Sequence, residues 1–321
     1  MKIRHRTLLI AGLALSVFTT LGCYLAPSFP VLIICYSLGG LAANTIFPMT
    51  TALLGEYVPL SERSKALGWM LAGPAAIYIV GYPIVNYIGD WRRAFLLFAL
   101  PIILVALLLS FVGLPPTEST SRKEDILAGY KGIIASKSAL ACLVSSGLGL
   151  GVWQITLSLA SSFYRQQFSM SRGNVVYVTV GMALLYIVGT LISRKIIPKY
   201  GRINTAIASS ALLGLFTIIY AISFNVIIAL VTNGIACFLA GVRVNASQGL
   251  NLEQLPNLRG SMMSLSSAFG STGNVLSLSL SGYLLINYGW GVMGSVIGIF
   301  GFLAGIILYL YAEDPTWVKK Q

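Results

Sequence analysis

The sequence predicts an all-α membrane protein, a polytopic helical bundle. Three observations predict it. Hydrophobic residues make up 56% of the chain and charged residues only 9%, against roughly 25% charged in a soluble domain. Apolar runs of about 20 residues, the length that crosses a bilayer as a helix, recur along the whole chain. A set of landmarks also recurs: Pro59 and Pro256 lie 197 residues apart, and Trp91 and Trp290 lie 199 apart. A nearly constant offset marks a duplicated unit. A β-barrel would show short alternating segments instead.

Ten spans are expected, at 7–25, 30–54, 66–88, 94–114, 139–162, 174–193, 203–222, 226–250, 261–285 and 292–311. Spans one and two are joined by Ala26-Pro27-Ser28-Phe29-Pro30, too short and uncharged for anything but a tight hairpin. Span two carries Gly39, Gly40, Ala42 and Ala43, small residues that let helices approach closely in lipid. Span three carries Gly68, Gly73, Pro74, Gly81 and Pro83, enough to loosen a membrane helix. The long polar segment is 115–137. It opens with linker chemistry, Pro115-Pro116-Thr117-Glu118-Ser119. Apolar residues at 126, 127, 130, 133 and 134 then suit a short amphipathic helix on the membrane face. The expected organisation is therefore an N-terminal half at 1–114, a cytoplasmic linker at 115–137 and a C-terminal half at 138–321.

The net charge of +12 is topological. Loops on one side hold 16 of the 21 basic residues, from Lys2 through Arg63, Lys131 and Arg202 to Lys320. The other side holds only Arg92, Arg93, Arg165 and Arg172. The positive-inside rule makes the first side cytoplasmic, with both termini there. A nucleic-acid partner is not expected. Cys23, Cys35, Cys142 and Cys237 all fall within spans, without metal-ligand spacing, and read as small buried hydrophobes. One histidine and no mid-span carboxylate leave no acid–base pair or metal cluster. No enzyme activity, cofactor or metal is expected.

The repeat pairs span two with eight, three with nine and four with ten. Span one then pairs with seven, and spans five and six lack partners in the first half. The architecture expected from this count is six plus six, with ten of twelve transmembrane helices present and the first two missing. Parallel six-helix repeats joined by a cytoplasmic linker resemble the major facilitator superfamily. Met1-Lys2-Ile3-Arg4-His5-Arg6 is similar to the tail of that family's Asp-Arg-x-Gly-Arg loop, and Pro198-Lys199-Tyr200-Gly201-Arg202 to its second-half copy. Gly89-Asp90-Trp91-Arg92 and the Pro59/Arg63 turn resemble the prokaryotic drug- and sugar-efflux branch. Cys35 stands where proton-coupled members carry an arginine, which leaves the coupling ion open.

The resemblance implies a secondary active transporter of a small organic solute or drug, working by alternating access between two halves, in the efflux direction. Its implied partners are a small-molecule solute, a proton or other coupling ion, and the bilayer of a prokaryotic plasma membrane. The alternative is a truncated membrane protein that does not transport; the DNA upstream of Met1 separates the two.

Arg243 is the sharpest candidate on the solute pathway. An arginine near the bilayer centre costs at least about 2.5–3.5 kcal/mol, so it should face a polar cavity or partner. The other reading is a side chain that snorkels to the cytoplasmic interface. Trp153 and Gln154 suit stacking and hydrogen bonding in a cavity, or an interfacial belt. Asn44 and Asn245 occupy roughly corresponding places in the two halves. Glu56 with Arg63, Glu253 with Arg259, and the Gly201-Arg202 corner are candidate gating groups, or solvated loop charges.

Overall fold

Apolar helices dominate a computed structural model of the chain, which describes residues 5–58, 70, 73, 77–113, 126–255 and 258–315. Two compact units form, Met1–Arg122 and Lys123–Gln321.

In the first unit α1 (His5–Leu25) and α2 (Phe29–Tyr57) make the expected hairpin. Its turn closes through a bond from the Leu32 amide to the Ser28 carbonyl, 3.1 Å. The helices approach where α1 is smallest. A Cβ added at Gly22 would stand 2.7 Å from the Cys35 sulfur, and one at Gly12 3.1 Å from Ile46. Leu9, Leu13 and Leu53 are the buried centre, with Ile103, Ala106 and Leu107 packed against them. The third helix, α3 (Ile77–Ile88), is the continuous described stretch of the third expected span. It begins with a π-helical turn, Ile77–Gly81, and ends at Gly89 with φ 75°. The Asp90 carboxylate then accepts from the Arg92 amide at 2.9 Å and caps α4 (Trp91–Gly113). A second π turn, Phe95–Ala99, interrupts α4. The basic turn expected at 59–65 lies outside the described residues.

The second unit opens with α5 (Ile126–Ala135). This helix does more than lie on the membrane face. Ile133 is fully buried and Tyr130 packs beside it, in a cluster with Leu143, Leu250, Met262 and Leu308. Then follow α6 (Lys137–Ser158), α7 (Ala160–Phe168), α8 (Arg172–Tyr200), α9 (Arg202–Ile222), α10 (Val226–Gln254) and α11 (Arg259–Tyr311). Glycines set the helix approaches, because packing rather than hydrophobic force joins helices in lipid. Gly147 meets Gly273 across α6 and α11. Gly214 meets Gly298 and Gly301 across α9 and α11, and Gly241 meets the Tyr186 carbonyl across α10 and α8.

Several boundaries differ from the expected spans. The span expected at 139–162 turns at Leu159 and continues as α7 to Phe168. Arg165-Gln166-Gln167 read as loop, but Phe163 and Tyr164 on the opposite side are fully buried. Phe163 packs on Tyr220 and Trp290, ring centroids 4.4 and 5.1 Å away, and that contact carries the helix onward. The span expected at 174–193 runs to Tyr200, with Arg194, Lys195 and Lys199 on its last turns. Spans nine and ten form one helix broken only at Gly289, whose φ of 80° no larger residue adopts cheaply. Gly89 and Gly289 thus both adopt positive φ at matching landmarks of the two repeats. Among the described residues eight helices are long and apolar enough to cross a membrane; Ser261–Tyr311, at 51 residues, has the length of two spans.

A candidate polar site inside the second unit

Arg243 sits in the middle of α10 and is 2% exposed. It does not reach an interface. Its Nε donates to the Ser210 hydroxyl of α9 at 2.8 Å, and its Nη2 to the Ser145 carbonyl of α6 at 2.5 Å. Gly149 makes the room, since a Cβ there would overlap the guanidinium. Three helices therefore meet on one cation, and both of its protein acceptors are neutral.

The surrounding face is polar. Ser247 and Asn251 follow Arg243 at one and two helical turns, on one face of α10. Asn251 donates to the hydroxyls of Ser146, 3.0 Å, and Ser266, 2.7 Å, tying α10 to α6 and α11. Among the described residues the hydroxyls of Ser145 and Ser247 are buried with no protein partner, as is the carbonyl oxygen of the Asn251 side chain. Buried polar atoms are rarely left without partners in native proteins.

The other expected residues fall in different places. Trp153 is buried and stacks on Tyr186, centroids 4.3 Å apart and planes 15° from parallel. Tyr186 is also the electrostatic neighbour of Arg243. Gln154 donates to the Ser158 hydroxyl at 2.8 Å, just before the turn at Leu159. Asn245 spends its amide on the α8–α10 contact, donating to the Thr190 carbonyl and the Ser193 hydroxyl, both at 2.8 Å. Asn44 is exposed on α2 and donates to its own helix at Gly40, 2.9 Å.

Of the expected gating groups, Gly201 and Arg202 form the α8–α9 corner, and the Arg202 stem lies 3.5 Å from the place of a Cβ on Gly249. Glu56 stands in the last turn of α2 and Glu253 in that of α10, while Arg259 opens α11. Arg63 lies outside the described residues, as do the side chains of Glu56 and Arg259.

Sequence reasoning missed the serines around Arg243. The fourfold spacing of Arg243, Ser247 and Asn251 was the available signal. It also missed a clasp at one end of the unit. Ser138 donates to the Gln254 side-chain oxygen at 2.7 Å, Gln254 to the Glu313 carbonyl at 2.6 Å, and the Glu313 amide to Ser138 at 2.9 Å.

A family model described as Major Facilitator Superfamily matches residues 1–252 and again 142–321. Two overlapping matches are what an internally repeated family gives. The chain is 24% identical over 326 residues to the MFS-type transporter YceJ of Bacillus subtilis (strain 168), covering all of this chain and 82% of that protein. It is 26% identical over 306 residues to Multidrug resistance protein 1 of the same organism, covering 91% and 75%. A crystallised D-xylose-proton symporter superposes with a TM-score of 0.76 at 14% identity, over 97% of this chain and 82% of that one. That likeness speaks for the fold alone. With the family model spanning the whole chain over a helical, repeated membrane fold, the chain belongs to the Major Facilitator Superfamily and is a multi-pass secondary transporter rather than an enzyme.

Proposed function

We propose that the protein exports a small organic solute or drug across a prokaryotic plasma membrane by alternating access of its two helical halves, 1–114 and 138–321. The observation that carries this reading is the buried Arg243 in mid-span of α10, held by neutral groups on two neighbouring helices. A stability-driven core would place an apolar side chain there, so the cation points to work on a solute. Resemblance to Multidrug resistance protein 1 supports export of a drug-like molecule. The uneven basic residues support cytoplasmic termini. In this reading Arg243, Trp153 and Gln154 border the solute pathway, with the Asn44 and Asn245 amides at corresponding heights of the repeats. The Gly201-Arg202 corner and the Glu56/Arg63 and Glu253/Arg259 turns take part in the conformational change, coupled to a proton or another ion.

Export from energised cells tests it, using a panel of fluorescent drugs and organic acids. Cells making the protein should clear at least one compound faster than cells with an empty vector. Arg243→Gln should slow that clearance roughly ten-fold, the loss of one charge-assisted contact. Identical clearance with and without the protein across the panel sinks the transport reading. Clearance untouched by Arg243→Gln removes Arg243 from the pathway.

A further inference from the structure

We propose that the polar seam around Arg243 is a binding site for a monoanionic group, a carboxylate or a small inorganic anion. Arg243 supplies the charge, and the hydroxyls of Ser145 and Ser247 complete the cradle. Naming the solute class in this way rests on the transport reading; the site itself stands on the second unit alone.

The charge comes first. The guanidinium is buried, and its two protein acceptors are a hydroxyl and a backbone carbonyl. These bonds are made by Nε and Nη2, which leaves Nη1 as the edge of the guanidinium turned to a ligand in this proposal. The described carboxylates of this unit are Glu253, Glu313 and Asp314, at the end of α10 and beyond α11. Glu253 stands ten residues from Arg243, roughly 15 Å along the helix. Buried charges in proteins are paired, because desolvation is otherwise uncompensated. Here the described protein offers no counter-charge.

The donors come second. The hydroxyl of Ser145 belongs to the residue whose carbonyl already holds Nη2. Ser247 lies one turn from Arg243 on the same face. Both hydroxyls are buried without a protein partner among the described residues. A guanidinium edge and two unspent hydroxyls on adjoining helix faces are three donors with nothing to donate to. An anion satisfies all three and also neutralises the cation. Water can accept the hydrogen bonds but leaves the charge. The free acceptor of Asn251 lies two turns away and marks where the donor-rich stretch ends.

The surroundings fit a carboxylate carrying an aromatic body. Tyr186, electrostatically coupled to Arg243, stacks on Trp153 of α6, so aromatic side chains line this part of the second unit. Gly149 is part of the design, because any side chain there would evict the guanidinium.

The test uses the purified full chain in detergent at constant ionic strength, with sodium gluconate as reference salt. The probes are sodium benzoate, sodium chloride and neutral benzamide, and the readout is the thermal unfolding midpoint. A ligand that binds the folded state alone raises the midpoint saturably. Benzoate or chloride should do so, and benzamide should not. Arg243→Gln should abolish the response, and the Ser145→Ala/Ser247→Ala double variant should weaken apparent affinity roughly ten-fold. Should Arg243→Gln lose native helicity by circular dichroism, the double serine variant carries the test alone. Saturation by both anions in competition identifies a solute carboxylate site; saturation by chloride alone identifies a resident inorganic anion. Equal stabilisation by benzamide overturns the proposal, and so does an unchanged anion response in a folded serine or Arg243 variant, which would mean a water-filled seam. No flux is measured here. A protein that binds benzoate but clears nothing refutes transport alone, and one that clears neutral drugs with no anion response refutes the anion site alone.

Discussion

Gly214→Val should largely unfold the second unit, whereas Gly181→Ala should stabilise it. The two glycines have the same residue type and the same helical backbone, and differ in what lies above them. A Cβ at Gly214 would overlap the Gly298 carbonyl oxygen and stand 3.2 Å from the Gly301 Cα. From the other side, a Cβ at Gly301 would meet the Gly214 Cα at 2.7 Å. These neighbours are backbone, so no rotamer change relieves the clash and α9 must move away from α11. Overpacking a core costs about 1–3 kcal/mol where side chains can give way, and more where they cannot. Gly181 on α8 has nothing among the described residues within 4 Å of its would-be Cβ. There the methyl removes backbone freedom from the unfolded chain and should add about 0.5–1 kcal/mol. Unfolding midpoints of the purified variants would show this, and equal shifts for the two would refute the backbone-contact account of the fold.

Arg243→Met should give a more stable protein whose transport is slowed roughly ten-fold or more. The methionine keeps much of the volume and deletes the unpaired charge. Replacing buried charges by packed apolar residues is neutral or stabilising, by about 1–4 kcal/mol. The acceptors left behind are undemanding: Ser210 can turn to its own helix, and Ser145 retains its place in α6. Loss of the cation removes the contact proposed for the solute, so clearance should fall roughly ten-fold or more. Stability and activity moving in opposite directions is the signature of a residue kept for function. A variant both less stable and inactive would instead make Arg243 a structural keystone.

Much of the fold was legible because lipid simplifies the code. Long apolar runs separated by Pro27-Ser28, Gly89-Asp90 or Gly201 give helix and turn with little competition. The repeat was legible too, and its two glycine turns adopt positive φ at matching places. Helix ends were less so. The basic last turns of α8 and the polar side of α7 are helical although they look like loop, because hydropathy reports depth and not backbone conformation. At the site, Arg243 announced itself as a charge in an apolar run. Its partners did not. Ser145 and Ser210 are 98 and 33 residues away, and a serine inside a span looks like any small packing residue. Asn245 resembled a cavity group, yet its amide is consumed between two helices, a difference that only the packing of α8 against α10 reveals.

The lengths of α8 and α10 have a consequence for the surroundings of the molecule. Each is a helix of 29 residues, about 43 Å long at 1.5 Å per residue. The hydrocarbon of a bilayer is only about 30 Å thick, and about 40–45 Å with its headgroups. These two rods therefore match the full thickness from phosphate to phosphate, or tilt. Standing upright, α8 would bring Arg194, Lys195 and Lys199 of its last turns, and the Gly201-Arg202 corner after them, to the depth of the lipid phosphates. At that depth the immediate medium of this corner would be the headgroup layer, whose anionic lipids attract basic side chains.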